Sequence, residues 1–355
     1  MILLNQTDLF LSGAVFAFFW AFLLSIFAIP SVIYLSFRKH LLDQPNNRKV
    51  HKKSIPRLGG MAIFAGFTSA ITIFGDFTDT DAALKEILAG CILLFFVGLK
   101  DDISPISAFK KFFIQILATG VVVFLGEVYV TNLHGFLGIY ELKNLGISFA
   151  FTFIMIIGVT NAINLIDGLN GLAGSLIVLM CFFFSAFYYS VGSTLTVLAL
   201  AIAGAFIGFL RYNFIKGKIF MGDSGSLVGG FVVAVLGVQY LESDISTVSI
   251  TPQVCIAILV IPIFDTLRVF LIRIMKGRSP FSPDKNHIHH KMLSYGFSQV
   301  SVVVTLLGIN VLLVLFAYFT AEYIDLNLYV LGYVIIAVAI SFAFKYFDKR
   351  YAVSN

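Results

Sequence analysis

The chain has 355 residues, of which 59% are hydrophobic and only 12% are charged, and its formal net charge at pH 7 is +5. Soluble domains carry about twice that charged fraction, so the composition excludes an ordinary water-soluble globular protein. It predicts a polytopic membrane protein whose main solvent is lipid. The positive charge is weak evidence for nucleic acid, and no nucleic-acid partner is expected.

Eleven apolar stretches, separated by short polar breaks, indicate membrane-spanning helices. A spanning helix needs about 20 mostly apolar residues. Because a spanning segment must satisfy its own backbone hydrogen bonds, the prediction is an all-α fold with about 11 transmembrane helices. In chain order, the predicted spans are residues 9–36, 58–75, 84–99, 109–126, 147–163, 171–191, 193–210, 225–242, 252–275, 299–321 and 326–344.

The basic residues predict the orientation of these spans. No Lys or Arg precedes the first span, which argues against a cleaved signal peptide, and Arg38 and Lys39 follow it, so the N-terminus is expected outside. Alternation then places 22 of the 24 Lys and Arg residues on the inside, together with the C-terminus. We predict a single domain over residues 1–355. Its catalytic cytoplasmic loops are expected at residues 38–57, 100–108, 164–171, 211–224 and 276–298.

Two adjacent carboxylates end the third span in the sequence GLKDD, Gly98–Asp102. Side chains of neighbouring helical residues point about 100° apart, so Asp101 and Asp102 can hardly ligate one ion together. One is expected to face a site and the other a neighbouring helix or a lysine. For this motif alone, a solvated acidic loop start is the alternative. Carboxylates near a membrane are costly to bury, and a cation is a natural partner.

The sequence NAINLIDGLNGLAG ends the fifth span with a polar face. Asn161 and Asn164 share one side of a helix, and Asp167 continues that side one turn later. Asn170 follows between glycines that allow a turn and a close backbone approach. Polar contacts between transmembrane helices are the alternative. Three amides and a carboxylate exceed what such contacts usually need, which favours a ligand site.

The sequence FMGDSGS places Asp223 between glycines at the start of the eighth span. A serine there can cap the helix, and the free N–H groups of a helix N-terminus favour phosphate. Mg²⁺ usually takes one or two carboxylates together with substrate phosphates. We therefore predict Asp223 as a ligand of Mg²⁺, with Mn²⁺ as an alternative ion, although a simple helix cap would also explain the motif.

A long loop after the ninth span contains Arg278, His287, His289 and His290. Its basic side chains could clamp a pyrophosphate, or they could merely reflect the inward orientation of the loop. The histidines could bind substrate, form a solvated patch or bind zinc. Zinc would want sulfur or nitrogen ligands from elsewhere, and the cysteines lie within spans. We therefore predict substrate binding.

Asp265 lies inside the ninth span, three residues before Arg268. A carboxylate within the membrane is a candidate functional group. An i,i+3 ion pair with Arg268 would serve structure alone, and the sequence does not decide between the two interpretations.

Taken together, these motifs resemble those of the polyprenyl-phosphate N-acetylhexosamine-1-phosphate transferases of glycosyltransferase family 4. PRLGG at Pro56–Gly60, GLKDD, NAINLIDGLNGLAG, FMGDSGS and SPFSPDKNHIHH occur in the family's order. The resemblance implies a multi-pass enzyme of the bacterial inner membrane with its active site in the cytoplasm. Such an enzyme transfers a sugar-1-phosphate from a UDP-sugar to undecaprenyl phosphate and releases UMP.

The histidine loop resembles one branch of this family. That branch transfers N-acetylglucosamine-1-phosphate and starts O-antigen, lipopolysaccharide or other cell-surface polysaccharide synthesis. The peptidoglycan branch typically carries three consecutive histidines, and here Ile288 interrupts them. The same reaction with UDP-N-acetylgalactosamine, UDP-N-acetylfucosamine or UDP-N-acetylquinovosamine is the main alternative.

The resemblance also implies roles for individual residues. Asp223 matches the metal ligand, Asp101 and Asp102 match an acidic pair near the acceptor phosphate, and Asp167 completes the implied catalytic set. Many members have Asp where this chain has Asn170, so no carboxylate mechanism is expected at that position. The residues implied to contact the nucleotide sugar are Asn161, Asn164, Asn170, Arg278, His287, His289 and His290.

A membrane transporter is a further alternative, because it too would have many spans and buried acids. Transporters tend to hold polar groups near the bilayer midplane, whereas here the polar groups gather at the inner ends of spans. The expected partners are a UDP-N-acetylhexosamine, undecaprenyl phosphate and the lipid bilayer. The oligomeric state stays open, with a homodimer as one alternative.

Overall fold

Helices dominate the computed structural model, which describes residues 6–43, 54–80, 82–243, 252–279 and 286–353 and omits the side chains of 6–10, 346 and 348–353. Eleven long helices match the eleven predicted stretches, and α10 is a short addition. The helices are α1 Gln6–Arg38, α2 Gly59–Phe74, α3 Leu84–Ile103, α4 Ala108–Gly120, α5 Leu145–Ile166, α6 Leu172–Ser190, α7 Leu195–Asn213, α8 Gly222–Glu242, α9 Pro252–Met275, α10 Ile288–Ser294, α11 Gln299–Thr320 and α12 Leu326–Val353.

Nine helices in the described ranges are long and apolar enough to cross a membrane, which confirms a polytopic, all-helical membrane protein. The predicted spans at α2 and α3 are the two that differ. With 16 residues, α2 is about 24 Å long, against a hydrocarbon core of about 30 Å. Helix α3 is charged at both ends, so that its uncharged part runs only from residue 87 to 99. The count of eleven spans and the orientation of the termini stay predictions.

Four local features were not predicted from the sequence. A π-helical turn, Val121–Leu125, extends α4, and an antiparallel hairpin follows with strands β3 Asn132–Phe136 and β4 Ile139–Glu141. The third is α10, inside the histidine loop. Each is too short to produce a periodic hydrophobic pattern. The fourth is a short antiparallel pair between α1 and α2 in the chain, which joins β1 Leu42–Asp43 to β2 Ile55–Pro56.

Helix α8 lies at the centre of the bundle. It has no charged residue between Asp223 and Glu242 and is buried along almost its whole length, as expected for a helix that is apolar on all sides. Helices α2, α3, α5, α6, α7 and α9 pack around it. Helix α1 packs outside them on α7 and α2, while α11 and α12 pack on α9. The helices that carry the predicted motifs therefore converge on α8.

Helix α9 contains a proline whose missing N–H is compensated by a neighbouring helix. Pro262 cannot donate to the carbonyl of Ile258, four residues earlier. Asn310 of α11 donates through Nδ2 to the carbonyl oxygens of Ala257 at 3.0 Å and Ile258 at 3.3 Å. These hydrogen bonds satisfy backbone carbonyl groups for which lipid offers no donor. They also fix α9 about two turns before Asp265.

The segment Pro56–Gly60 is hydrogen-bonded to the chain that leads into α8. The Gly59 N–H donates to the carbonyl of Phe220 at 2.9 Å, and the Gly60 N–H donates to that of Met221 at 2.8 Å. These bonds hold the first turn of α2 beside the first turn of α8. The PRLGG motif therefore joins α2 to the start of α8, a contact that the sequence alone did not predict.

Two glycines let neighbouring helices approach α8 more closely than any side chain would allow. A Cβ atom at Gly60 of α2 would lie 2.3 Å from the backbone nitrogen of Gly225. A Cβ atom at Gly98 of α3 would lie 2.5 Å from the backbone nitrogen of Ser224. Both atoms belong to the backbone of α8 and cannot swing aside as a flexible side chain could. The two glycines thus set the distance at which α2 and α3 meet α8.

Replacing Gly60 with alanine is expected to destabilise the protein. Overpacking typically costs about 1–3 kcal/mol, and here the obstacle is rigid backbone. The matched control is Gly158→Ala in α5, where a Cβ atom would meet nothing within 4 Å. The measurement is thermal unfolding of both purified variants in detergent. We expect a lower Tm for Gly60→Ala only; equal Tm values for the two variants would contradict the packing argument.

Candidate active site

The first turn of α8 is the point at which the predicted site residues meet. Asp102, in the last turn of α3, accepts hydrogen bonds from the backbone N–H of Asp223 at 2.8 Å and of Ser224 at 3.1 Å. It also accepts one from the Ser224 hydroxyl at 2.7 Å. A carboxylate is favoured at a helix N-terminus, where N–H groups lack partners within the helix. Asp102 therefore caps α8 from a neighbouring helix and fixes the backbone of Asp223.

Asp101 points away from Asp102, as their angular separation on the helix led us to expect. Its Oδ1 accepts a hydrogen bond from the Ile106 N–H at 2.9 Å, and its Oδ2 lies 3.1 Å from Lys111 Nζ. Lys111, in the first turns of α4, also forms an ion pair with Asp223. The ammonium group thus links the end of α3 to the start of α8.

The two asparagines of α5 contribute in different ways. Asn164 donates through Nδ2 to Asp223 Oδ1 at 3.2 Å and to the Ser226 hydroxyl at 2.8 Å, so it orients the Asp223 carboxylate. Asn161 exchanges hydrogen bonds with Gln115 of α4, at 2.8 Å and 3.2 Å. That reciprocal pair joins α5 to α4. The predicted substrate-binding role of Asn161 stays a prediction.

Asp167 follows the end of α5 and is partly buried beside the same cluster. Among the described residues its carboxylate makes no hydrogen bond. Burial raises the pKa of Asp167 well above its usual range, and the negative charges of Asp223 and Asp102 raise it further. An unpaired carboxylate in this position is costly to keep ionised unless a cation lies nearby.

Among the described residues, carboxylates outnumber the basic groups that contact them at this end of α8. Asp101, Asp102, Asp167 and Asp223 lie there, and Lys111 contacts two of them. Within the described ranges, no three His, Cys, Asp or Glu side chains are placed to hold a metal ion by themselves. Mg²⁺ does not need such a set, since waters and substrate phosphates can complete its octahedral shell. The hard oxygen donors and excess negative charge fit Mg²⁺, and Asp223 and Asp167 are the residues that would hold it.

The histidine loop is attached to α9 through Asp265. His287 lies 2.8 Å from Asp265 Oδ2 through its Nδ1, and the backbone N–H of Ile288 donates to Asp265 Oδ1 at 2.9 Å. Arg268 forms the expected i,i+3 ion pair with Asp265, at 3.3 Å. Arg268 also donates to the carbonyl of Asn286. The intramembrane acid of the sequence analysis therefore anchors the loop that contains the histidines.

The rings of the three histidines lie side by side, and those of His289 and His290 lie against the turn that follows α5. Ring centroids are 5.7 Å apart for His287 and His289, and 4.3 Å apart for His289 and His290. A Cβ atom at Gly168 would lie 2.7 Å from His289 Nε2, so the glycine is what allows this contact. Neither ring nitrogen of the buried His289 has a hydrogen-bond partner among the described residues. Burial, reinforced by the charge of His290, lowers the pKa of His289 to about 3, so this ring is neutral at pH 7.

Asn170 lies in the same turn but faces the connection between α7 and α8. A Cβ atom at Gly217, whose φ is +51°, would lie 2.5 Å from Asn170 Nδ2. Next to it, Asn213 accepts a hydrogen bond from the Gly171 N–H at 2.7 Å and donates to the Ile219 carbonyl at 2.8 Å. Asn213 thereby ties the turn to the segment that precedes α8. Substrate contact by Asn170 stays a prediction.

Arg278 is the predicted site residue that the structure does not bring to the cluster. It is exposed beyond the end of α9, where its backbone N–H donates to the Arg273 carbonyl at 2.9 Å. In the part of the chain that the structure describes, its side chain forms no hydrogen bond or ion pair with the site. Residues 280–285 and 44–53 of the predicted loops lie outside the described residues. Donor binding by Arg278 stays a prediction.

Sequence reasoning missed Lys111, Gln115 and Asn213. In the sequence, Lys111 counts only as one of the basic residues that predict the orientation of the spans. A usable signal was present: Lys111 and Gln115 are four residues apart, so they share one face near the N-terminal end of an otherwise apolar helix. Asn213 ends α7 and carried no pattern that would distinguish it from an ordinary helix end.

Comparisons with known proteins match this architecture to one family. The model for glycosyl transferase family 4 matches residues 84–241, from the start of α3 to the end of α8. The chain is 37% identical over 300 residues to the probable undecaprenyl-phosphate N-acetylglucosaminyl 1-phosphate transferase of Bacillus subtilis, covering 82% of this chain and 80% of that protein.

Two further relatives extend the match. The chain is 30% identical over 342 residues to the undecaprenyl-phosphate alpha-N-acetylglucosaminyl 1-phosphate transferase of Escherichia coli, with 91% of each chain covered. It is 31% identical over 312 residues to the decaprenyl-phosphate N-acetylglucosaminephosphotransferase of Mycobacterium tuberculosis, covering 80% of this chain and 76% of that protein. The chain therefore belongs to glycosyl transferase family 4, among the polyprenyl-phosphate sugar-1-phosphate transferases that its motifs resemble.

Proposed function

We propose that this enzyme transfers N-acetylglucosamine-1-phosphate from UDP-N-acetylglucosamine to undecaprenyl phosphate, with release of UMP. The observation that carries the proposal is the convergence of Asp223, Asn164 and Lys111 at the first turn of α8, in a chain of this family. Because the histidine loop resembles that of the branch described above, we assign the product to the start of O-antigen or other cell-surface polysaccharide synthesis. The reaction takes place at the cytoplasmic face of the bacterial inner membrane.

In the proposed reaction, an oxygen of the acceptor phosphate attacks the β-phosphorus of the donor. The bond from that phosphorus to the bridging oxygen breaks, and UMP leaves. The bond between the sugar carbon and its oxygen is untouched, so the anomeric configuration is retained. A phosphate monoester with a second pKa of about 6 is largely dianionic at pH 7 and needs no strong general base. We therefore favour direct attack over a covalent aspartyl intermediate.

The main task of the site is to neutralise charge while two anionic phosphates approach each other. Mg²⁺, when bound, would screen the pyrophosphate of the donor. Lys111 brings a positive charge to the reacting centre and holds Asp223, while Asn164 fixes the rotamer of that carboxylate. His289 offers a neutral ring whose two nitrogens have no hydrogen-bond partner among the described residues, which suits hydrogen bonding to the donor.

A product assay tests the reaction and the choice of sugar. Purified protein is incubated with undecaprenyl phosphate, Mg²⁺ and one UDP-sugar at a time, and products are identified by mass. We expect UMP release and a lipid product with one N-acetylhexosamine and two phosphates, fastest with UDP-N-acetylglucosamine. A preference for the N-acetylgalactosamine, N-acetylfucosamine or N-acetylquinovosamine donor would keep the reaction and change the sugar. If none of these donors leads to UMP release, the proposal is refuted.

Asp223→Asn is expected to lower kcat by at least about 100-fold, the order of magnitude lost when a key electrostatic group is removed from an active site. The amide keeps the size of the side chain and an oxygen that can accept from Lys111, so folding should persist. Steady-state UMP release is measured over a range of Mg²⁺ concentrations. The control is Asp76→Asn, the same change in an exposed turn between α2 and α3. Near-normal turnover by Asp223→Asn would exclude it as the metal ligand.

Thiol labelling tests the proposed cytoplasmic orientation. Ser294→Cys places a thiol in the exposed last turn of α10, and Lys143→Cys places one in the exposed segment between β4 and α5. The three native cysteines are buried. In intact cells, a membrane-impermeant reagent should label the variant at 143 and label the variant at 294 only after permeabilisation. The reverse pattern would overturn the orientation.

A further inference from the structure

The buried cluster of charged side chains around Asp265 in α9 has no role in the mechanism proposed above. Asp265 is 1% exposed and Arg268 is 4% exposed, and neither contacts the first turn of α8 in the described structure. A carboxylate and a guanidinium so deep in an apolar helix are costly to bury. Replacement by apolar residues would serve packing equally well, so the cluster requires a further explanation.

Each oxygen of the Asp265 carboxylate is directed at the histidine loop. Oδ2 is 2.8 Å from His287 Nδ1, and Oδ1 accepts from the Ile288 N–H at 2.9 Å. An ionised carboxylate only accepts hydrogen bonds, so this geometry places a proton on Nδ1 of His287. The rotation of the ring and the start of α10 are thereby fixed by a single side chain.

Arg268 reinforces the same attachment from a second direction. It pairs with Asp265 and donates to the carbonyl of Asn286, the residue before His287. Its guanidinium carbon also lies 5.2 Å from the ring centre of Phe344 in α12, a distance suited to a cation–π contact. The hydroxyl of Tyr295, just after α10, donates to the Phe344 carbonyl at 3.1 Å. Helices α9 and α12 therefore hold both ends of α10.

The attachment continues from His287 to the turn after α5. The His287 ring stacks on that of His289, with an angle of 23° between the ring planes. His289 in turn reaches Gly168, the residue after Asp167. A displacement of His287 would therefore shift the His289 ring relative to the carboxylate cluster. Misplacement by about 1 Å of a group that orients a substrate can cost on the order of 100-fold in rate.

We propose that Asp265 is a positioning residue for donor binding: through His287 and the N–H of Ile288, it holds His289 and His290 in the place where they meet the UDP-sugar. The proposal rests on the function proposed above. It assigns no chemistry to Asp265, because that residue reaches the donor only through the histidines. Acceptor binding, at the end formed by α3 and α4, is not expected to depend on it.

Asp265→Asn tests this positioning role in the purified full-length enzyme. We expect kcat/KM for the UDP-sugar to fall by roughly 10- to 100-fold, mainly through a higher donor KM. The KM for undecaprenyl phosphate should change by less than about twofold, and Asp76→Asn should change neither. A merely structural role would change both KM values alike, and that result would overturn the proposal.

A double-mutant cycle identifies the route of the effect. If Asp265 acts through His287, then His287→Ala alone should raise the donor KM to a similar extent. Combining it with Asp265→Asn should add little further loss, since residues that act as a unit are not additive. Losses that multiply would refute the proposed route. Because His287 lies outside the spans, its variant also serves if Asp265→Asn fails to fold.

Hydrogen exchange provides a measurement that does not depend on catalysis. In Asp265→Asn, amides in residues 286–294 should exchange faster than in the wild type, whereas those in α5 and α8 should be unchanged. Asp76→Asn is again the control. Altered exchange without any UMP release by the wild-type enzyme would leave the attachment standing and refute the proposed function. Unchanged exchange together with unchanged donor kinetics would refute the positioning role.

Discussion

The site depends on one interaction, the capping of α8 by a carboxylate from another helix. Asp102 accepts hydrogen bonds from N–H groups in the first turn of α8 and so fixes the position of the Asp223 backbone. This contact requires α3 to lie against α8 without a side chain between them, and Gly98 satisfies that requirement. Because the capping residue is itself anionic, it also adds a second negative charge beside Asp223. The same contact thus sets the geometry of the site and creates its demand for a cation.

That demand explains why polar groups collect at one end of an otherwise apolar bundle. Lys111 satisfies part of it by contacting both Asp101 and Asp223. Asp167 has no such partner among the described residues, and its pKa is raised first by burial and then by the negative charges of Asp223 and Asp102. A divalent ion together with an anionic donor would bring charges of both signs, so ion and donor are expected to stabilise each other's binding. A site of this kind is costly for folding and suited to phosphoryl chemistry.

The fold was predictable from sequence to the extent that lipid imposes it. Apolar stretches identified each long helix, since a spanning segment has few alternatives to helical structure. The helix α3 was harder, because Asp101 and Asp102 belong to the site and shorten its apolar part. Partners across helices were not predictable: nothing in the spacing of Asn161 indicates that Gln115, 46 residues earlier, would pair with it. Motifs on single helices identified the candidate residues, whereas their contacts depend on how the helices pack.

The contrast between Asp102 and Asp265 shows how one residue type serves two positioning roles at opposite sides of the site. Asp102 lies at a helix end and satisfies N–H groups of a long, rigid helix, so Asp223 can move little. Asp265 lies within α9, where Asn310 compensates for Pro262, and it holds a short helix and a loop. The seven residues of α10 would be marginal as an isolated helix. The proposed metal-binding side is therefore built into the core, whereas the histidine side is tethered to it. A tethered segment can shift without disturbing the long helix that carries Asp223, so the two sides of the site differ in how firmly their side chains are held.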